Sequence, residues 1–162
     1  MATKKVVLAF SGGLDTSYCV KYLADKGYEV HSALVDTGGF SDAELKKIED
    51  RAKYLGVASH TTLNLHDRFY NECIKFLIYG NILKNNTYPL SVSAERIFQA
   101  VAIAEYSKSI GAKAIAHGST GAGNDQVRFD MAFAIICPDV EIITPIRDEK
   151  LSRQEERRCL RR

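Results

Sequence analysis

Strands alternating with helices, and two glycine-rich turns each placed directly after an apolar strand, predict an α/β protein with a doubly wound, mostly parallel five-stranded sheet and helices on both faces. The chain has 162 residues, 46% of them apolar and 26% charged, a balance typical of a folded globular chain and unlike a disordered tail or a fibre. A chain of this length makes one domain that buries roughly two-thirds of its unfolded surface. It needs no disulfide or metal to hold it together.

The first element is the apolar run Val6 to Phe10, a buried strand that stops at Ser11-Gly12-Gly13. A helix over residues 16–26 follows, with Cys19, Val20 and Leu23 on one side and Gly27 as its stop. Tyr28 to Asp36 reads as the second strand. Ser41 and Glu44 have capping-box spacing, and Leu45, Ile48, Ala52 and Leu55 continue at helical intervals to Gly56. Thr61 to Leu65 is a weak third strand. The next helix is expected over residues 67–83, presenting Phe69, Cys73, Phe76 and Leu77, until the polar stretch 84–90 breaks it. A helix over 93–110, with Ile97, Val101 and Ala104 facing inward, leads to the apolar strand 113–117. A glycine loop spans Gly118 to Gly123, a helix covers 125–137, and Val140 to Thr144 is the last strand. Ser152 and Glu155 form another capping box, opening a short charged helix that is marginal alone and hints at a chain cut from a longer one.

Charge and cysteine usage narrow the function classes. Of 22 basic and 20 acidic residues, seven and four fall in residues 147–162, so residues 1–146 carry 15 against 16. A near-neutral body argues against a nucleic-acid partner. The longest apolar stretch, Met131 to Cys137, is far below the ~20 residues of a membrane span, and no signal peptide is read at the start. Cys19, Cys73, Cys137 and Cys159 lack ligand or disulfide spacing and read as reduced thiols in a cytoplasmic protein.

Parallel sheets bind ligands at the carboxyl ends of their strands, so both glycine turns face one crevice. Ser11-Gly12-Gly13-Leu14-Asp15-Thr16-Ser17 joins side-chain-free turns, where backbone N–H groups close on an anion, to hydroxyls at a helix N-terminus whose dipole favours phosphate. The segment is neither a P-loop, since no lysine follows the glycines, nor a dinucleotide fingerprint. Neutral donors gripping the β and γ phosphates as one unit suit the release of pyrophosphate. On local grounds a plain strand-to-helix turn stays open.

Residues 11–17 resemble the pyrophosphate-binding loop of the N-type ATP pyrophosphatases, and Ala9 to Ser17 resembles that of the argininosuccinate synthase family in particular. The second loop, His117-Gly118-Ser119-Thr120-Gly121-Ala122-Gly123-Asn124-Asp125-Gln126-Val127-Arg128-Phe129, is similar to that family alone within the superfamily. The resemblance implies an adenine-nucleotide α-hydrolase-like, Rossmann-like fold. It also implies an ATP-dependent carbon–nitrogen ligase of arginine biosynthesis and the urea cycle. Citrulline would attack the α-phosphorus of ATP to give citrullyl-AMP and pyrophosphate, and aspartate would displace AMP to give argininosuccinate. Mg²⁺ would accompany the nucleotide.

Position by position, the resemblance assigns ATP binding to Ala9, Phe10, Ser11, Gly12, Gly13, Leu14, Asp15, Thr16, Ser17, Val35 and Gly118. It assigns citrulline to Tyr88, Ser93, Asn124 and Arg128, the guanidinium fork suiting a carboxylate, and aspartate to Thr120, Asn124 and Asp125. Asp15 and Asp125 are the candidate catalytic carboxylates, and no protein metal site is assigned. Asp15 either orients its loop, approaches Mg²⁺ or simply stabilises the first turn of its helix. Arg96 lies one turn after Ser93 and reads either as a substrate support or as an exposed helix arginine. His117 lies inside the second motif, where its ring fixes the loop. His31, His60 and His66 have no carboxylate or cysteine partner at ligand spacing and read as surface or core residues. Phe69, Phe76 and Tyr79 read as core or domain-interface residues.

Two departures from the family stand out. Ala122 replaces a lysine that many members carry, and the family continues into a synthetase domain and an oligomerisation helix. The expected division is an ATP-binding domain over 1–146 and the start of a linker over 147–162, in a full-length protein that is a homotetramer. These residues alone would be inactive. A free-standing nucleotide sensor and a tRNA thiouridylase remain the alternatives.

Overall fold

The computed structural model describes residues 4–121, 123–150 and 152–160. Five strands form the main sheet: β1 (Lys4–Ala9), β2 (Tyr28–Asp36), β3 (Ser59–Asn64), β6 (Ala114–His117) and β7 (Glu141–Ile143). Between them, β4 (Leu83–Lys84) and β5 (Tyr88–Pro89) pair as a separate antiparallel hairpin. The sheet order is β3-β2-β1-β6-β7 with every neighbour parallel, as alternating strands and helices require. The chain moves outward from β1 to β3 and then crosses to the other side of β1. The strand order therefore reverses between β1 and β6, and the crevice opens at the carboxyl ends of those two strands.

Successive residues of a strand face opposite sides of a sheet, and β1 shows how that builds two cores. Val6 and Leu8 pack with Cys19, Val20 and Leu23 of α1 (Leu14–Asp25) and Ala52 of α2 (Asp42–Tyr54). Val7 points the other way, into a cluster with Ala33, Val35 and Ile115 of the sheet and the residues of two further helices. Those are Ala100, Ile103 and Ala104 of α5 (Ser91–Ser109) and Phe133 of α6 (Asp125–Ile136). The capping box at the start of α2 is complete, with Glu44 N–H donating to Ser41 Oγ and Ser41 N–H donating to Glu44 Oε2.

Three expectations need correction. The helix expected over 67–83 is instead α3 (His66–Phe69), a π-helical turn at Tyr70–Ile74 and α4 (Lys75–Tyr79). It ends at Gly80 and Asn81, whose φ of 43° leaves the helical region. Leu83 already belongs to the hairpin, whose turn residues Asn85 and Asn86 both have positive φ and are closed by Thr87 N–H to Lys84 O at 3.2 Å. Such a turn favours asparagine. On α5, Ile97 is 40% exposed, and the buried face runs through Ala100, Ile103, Ala104 and Ser107. Ala104 is buried as expected, but apart from Ile103 that face is made of alanines and a serine, so a search for large apolar residues is drawn toward Ile97 instead. Of the residues read as core or domain-interface, Phe69 is in the core, whereas Phe76 and Tyr79 are exposed, which removes the core reading for those two and leaves the domain-interface one.

After β7 the chain makes α7 (Pro145–Asp148) and α8 (Arg153–Leu160). The Ser152–Glu155 capping box forms, and α8 packs against α1 rather than standing alone. Glu156 is its buried residue, 2% exposed. Among the described residues no helix is long and apolar enough to cross a membrane.

Candidate nucleotide and substrate site

The first glycine loop turns sharply out of β1. Phe10 N–H donates to Ala33 O of the neighbouring strand, and Gly12 then takes a φ of 75° that only a residue without Cβ adopts freely. Gly13 is the N-cap of α1, and no side chain caps that helix end. Its first-turn N–H groups are therefore free of side-chain acceptors and directed to where an anion would sit. The hydroxyls brace the turn. Ser17 Oγ donates to Gly13 O at 2.6 Å, Thr16 Oγ1 lies 3.3 Å from Ser11 Oγ, and Arg51 Nε of α2 donates to Ser17 Oγ at 2.8 Å.

The second loop comes hard against the first. A Cβ on Gly118 would lie 3.3 Å from Thr16 Cγ2 and 3.4 Å from the Asp15 backbone, so only a glycine lets the loops approach without displacement. Between them lies a crevice of about 360 Å³. Its polar wall includes Ser11, Asp15, Thr16, Arg96, Ser119 and Asp125, and its apolar wall includes Ala33, Val35, Phe40, Ile103 and Phe129. A crevice that joins hydroxyls and backbone N–H groups to apolar and aromatic side chains suits a nucleotide.

Of the residues assigned to ATP, Ala9, Phe10, Ser11, Asp15, Thr16, Val35 and Gly118 line this crevice. Gly12, Gly13 and Leu14 make the turn beneath it, and Ser17 is fully buried and serves the loop's shape. Of those assigned to the amino acids, three meet at the first turns of α5 and α6. Arg128 Nη2 donates to Ser93 Oγ at 3.1 Å, and Arg128 Nη1 lies 2.8 Å from Asp125 Oδ1. Asn124 is the exposed N-cap residue of α6, and Thr120 is exposed in the second loop. Tyr88 stands 48% exposed on the hairpin and does not line the crevice. Ala122 lies outside the described residues.

Arg96 is more than an exposed helix residue: it lines the crevice and its Nε lies 3.5 Å from Asp125 Oδ2. Two histidines do acquire carboxylate partners that spacing did not reveal. His66 Nε2 lies 2.8 Å from Asp36 Oδ2 and His31 Nε2 lies 3.0 Å from Glu29 Oε1. Neither pair gains a third ligand, and no group of three or more His, Cys, Asp or Glu residues gathers among the described residues.

Sequence reasoning missed Arg51, Phe40, Asp130, Arg147 and Glu156, together with Gln99, which also lines the crevice, and it gave no role to Phe129. Arg147 Nη1 pairs with Asp130 Oδ2 at 2.7 Å, and Asp130 Oδ1 meets His117 Nε2 at 2.8 Å. Burial holds the His117 imidazole below its ordinary range despite that carboxylate. Burial also works to raise Asp130, but the bonds from Arg147 and His117 outweigh it and hold the carboxyl low. Glu156 reaches Asp15 from α8. Burial, followed by the hydrogen bond and charge of Asp15, raises its carboxyl to about 7.

Comparison with known sequences places these features in context. The family described as arginosuccinate synthase N-terminal HUP domain matches residues 5–159. The argininosuccinate synthase of Lactococcus lactis subsp. cremoris is 43% identical over 156 residues, which is 96% of this chain and 39% of that protein. That of Methanocaldococcus jannaschii is 46% identical over 151 residues, 93% of this chain and 38% of that protein. That of Xylella fastidiosa is 45% identical over 148 residues, 91% and 36% respectively. The chain thus spans under two-fifths of the length of these curated relatives. Among solved structures, the crystal structure of a predicted subunit of tRNA methyltransferase from Methanocaldococcus jannaschii superposes with a TM-score of 0.65 at 19% identity. It covers 96% of this chain and 74% of that one, a likeness of fold alone.

Proposed function

Because this chain belongs to the argininosuccinate synthase family, we propose that its crevice binds ATP and forms part of the site at which citrulline is ligated to aspartate, with release of AMP and pyrophosphate. The observation that carries this reading is the meeting of the two glycine loops at the switch point, across the N-terminus of α1, which no side chain caps. The triphosphate lies along residues 11–16 with Gly118 closing the far side. The base and ribose lie toward Val35, Phe40 and Phe129.

The amino-acid substrates enter beside Ser93, Thr120, Asn124, Asp125 and Arg128. Arg128 and Arg96 are held on the Asp125 carboxylate in the free chain. A citrulline carboxylate would take the place of Asp125 on the Arg128 fork, which frees Asp125 to receive the ammonium group of aspartate. Asp15 orients the first loop. Among the described residues no group of three or more His, Cys, Asp or Glu could hold a metal ion, and Mg²⁺ would come in on phosphate oxygens and water. When bound, that ion neutralises phosphate charge.

Tyr88, on its exposed hairpin, would reach citrulline only in the presence of the rest of the substrate site. The chain spans 36% to 39% of the three relatives named above, so complete ligation, along with the homotetramer and cytoplasmic setting that the family resemblance implies, is proposed for the whole enzyme.

Calorimetric titration of the chain with a non-hydrolysable ATP analogue and Mg²⁺, with and without citrulline, tests the reading. The expected result is one nucleotide site whose affinity rises in citrulline, and no argininosuccinate formed from ATP by these residues alone. Nucleotide binding indifferent to citrulline would remove the substrate half of the proposal. Absence of nucleotide binding by the folded chain would remove all of it.

A further inference from the structure

His117 ends β6 inside the core, 2% exposed, and its two ring nitrogens do different work. Nδ1 accepts the Ser119 N–H at 3.3 Å, which leaves the ring proton on Nε2, and Nε2–H donates to Asp130 Oδ1 at 2.8 Å. Arg147 Nη1 then bonds Asp130 Oδ2 at 2.7 Å and Gln126 Oε1 at 3.2 Å. Gln126 in turn donates its amide to Gly121 O at 2.9 Å. Arg147 is anchored from behind, with Nε donating to the buried Thr144 Oγ1 at 3.1 Å. One series of hydrogen bonds therefore starts at the end of β7 and grips the second glycine loop at two points, Ser119 and Gly121.

We propose that Arg147 and Asp130 are positioning residues for the nucleotide site, which set the second glycine loop by holding His117 in the tautomer that accepts Ser119 N–H and by clamping Gln126 onto Gly121. The proposal rests on the nucleotide reading of the crevice, which that loop borders. Neither residue touches substrate. Arg147 bonds three acceptors through Nε and Nη1, a task for a guanidinium that a lysine, with a single point charge, cannot repeat in full.

The arrangement has a defined electrostatic consequence. A protonated His117 would carry N–H on Nδ1 and face the Ser119 N–H donor to donor, so the Ser119 bond exists only with the neutral ring. The charges facing the ring are Asp130 on α6 together with Arg147 and Asp148 on α7. Asp15 on α1 lies against the adjoining Gly118. Burial and Arg147 favour the neutral ring, while Asp130 and Asp148 favour the charged one. Removing Arg147 therefore moves protonation of His117 to higher pH, and removing the Asp130 charge moves it to lower pH.

The test compares the chain with Arg147→Gln, Arg147→Lys and Asp130→Asn. Affinity for a non-hydrolysable ATP analogue and the nitrogen NMR signals of the His117 ring are followed between about pH 5.5 and 8. In R147Q the ring should protonate at higher pH than in the unmodified chain. Its affinity should fall about tenfold on the acid side, the size of effect expected for losing one charged hydrogen bond, and by less at pH near 8. R147K, which keeps the charge, should restore the original acid limb. D130N should shift that limb the opposite way, and it reads the same network if R147Q does not fold. Equal losses at every pH with unchanged ring nitrogens, or shifts of the same sign in R147Q and D130N, would overturn the proposal and leave Arg147 a structural prop. If the unmodified chain binds no nucleotide, the functional reading fails. The ring nitrogens still decide the network, since their opposed shifts support it and their invariance overturns it.

Discussion

At Gly12 the backbone takes a φ of 75°, and an added Cβ would lie 3.1 Å from Ile48 Cγ1 of α2. Gly12→Ala therefore meets both left-handed strain, about 1–2 kcal/mol for a residue with a Cβ, and a tight contact. Its melting temperature should fall by several degrees and its nucleotide affinity should fall with it, measured by thermal denaturation and titration on the same sample. Ser17→Ala acts differently. It removes the buried hydroxyl that joins Gly13 O to the exposed Arg51, whose guanidinium can turn to water instead, so unfolding in urea should show a loss of about 0.5–1.5 kcal/mol. An unchanged urea midpoint would deny Ser17 its bracing role. At this scale the first loop's glycines and Thr16 were legible, because a turn confined to a few consecutive residues carries its own geometry, whereas Asp125 and Arg128 were singled out only through the family resemblance. Arg51, Asp130 and Arg147 were not legible, since each reaches the site across tertiary space: Arg51 stands 34 positions from Ser17, and Arg147 stands 17 from Asp130. No spacing rule reads such distances.

Among the elements, α8 makes the sharpest prediction, because a charged eight-residue helix has little of its own to keep it folded. It is held by its capping box and by packing on α1, where Glu156 is buried with Oε2 lacking a hydrogen-bond donor and its carboxyl lies against Asp15. With the Glu156 carboxyl raised to about 7, the folded chain binds a proton that the unfolded chain releases near pH 4.5. The stability this proton supplies is complete at low pH and is lost as pH rises through about 7. Glu156→Gln stays neutral and can still donate to Asp15. It should therefore melt at nearly the same temperature at pH 6 and pH 8, while the unmodified chain loses stability across that interval; parallel losses in both would refute the pairing. Elements with strong periodicity or a capping box, such as α1 and α2, were legible to within a few residues. The segment 66–89 was not, because a π-helical turn keeps the apolar spacing of a helix while shifting its register. The turn asparagines at 85 and 86, the one local sign of the hairpin, look the same as any polar break.

Across the whole molecule, the sheet order rather than any single residue puts the two loops together. Motifs more than a hundred residues apart in the chain become neighbours because β1 and β6 pair in register from Val6 opposite Ala114 to Ala9 opposite His117. The parallel, doubly wound sheet and the shared crevice were legible from the alternation of strands and helices, but the strand order that makes β1 and β6 neighbours was not, because a crossover of many residues does not state which edge it returns to. Nor was the hairpin's place relative to the crevice, because nothing in the local pattern of residues 83–89 states where that hairpin packs. The central claim is that ATP occupies the crevice between the loops at the carboxyl ends of β1 and β6. Nucleotide-induced shifts of the backbone amide signals locate the ligand directly. Addition of a non-hydrolysable ATP analogue with Mg²⁺ should move the amides of residues 11–17, Val35 and residues 118–121, and leave those of α4 and the hairpin in place. Shifts centred on residues 75–89, or no shifts in the folded chain, would contradict it.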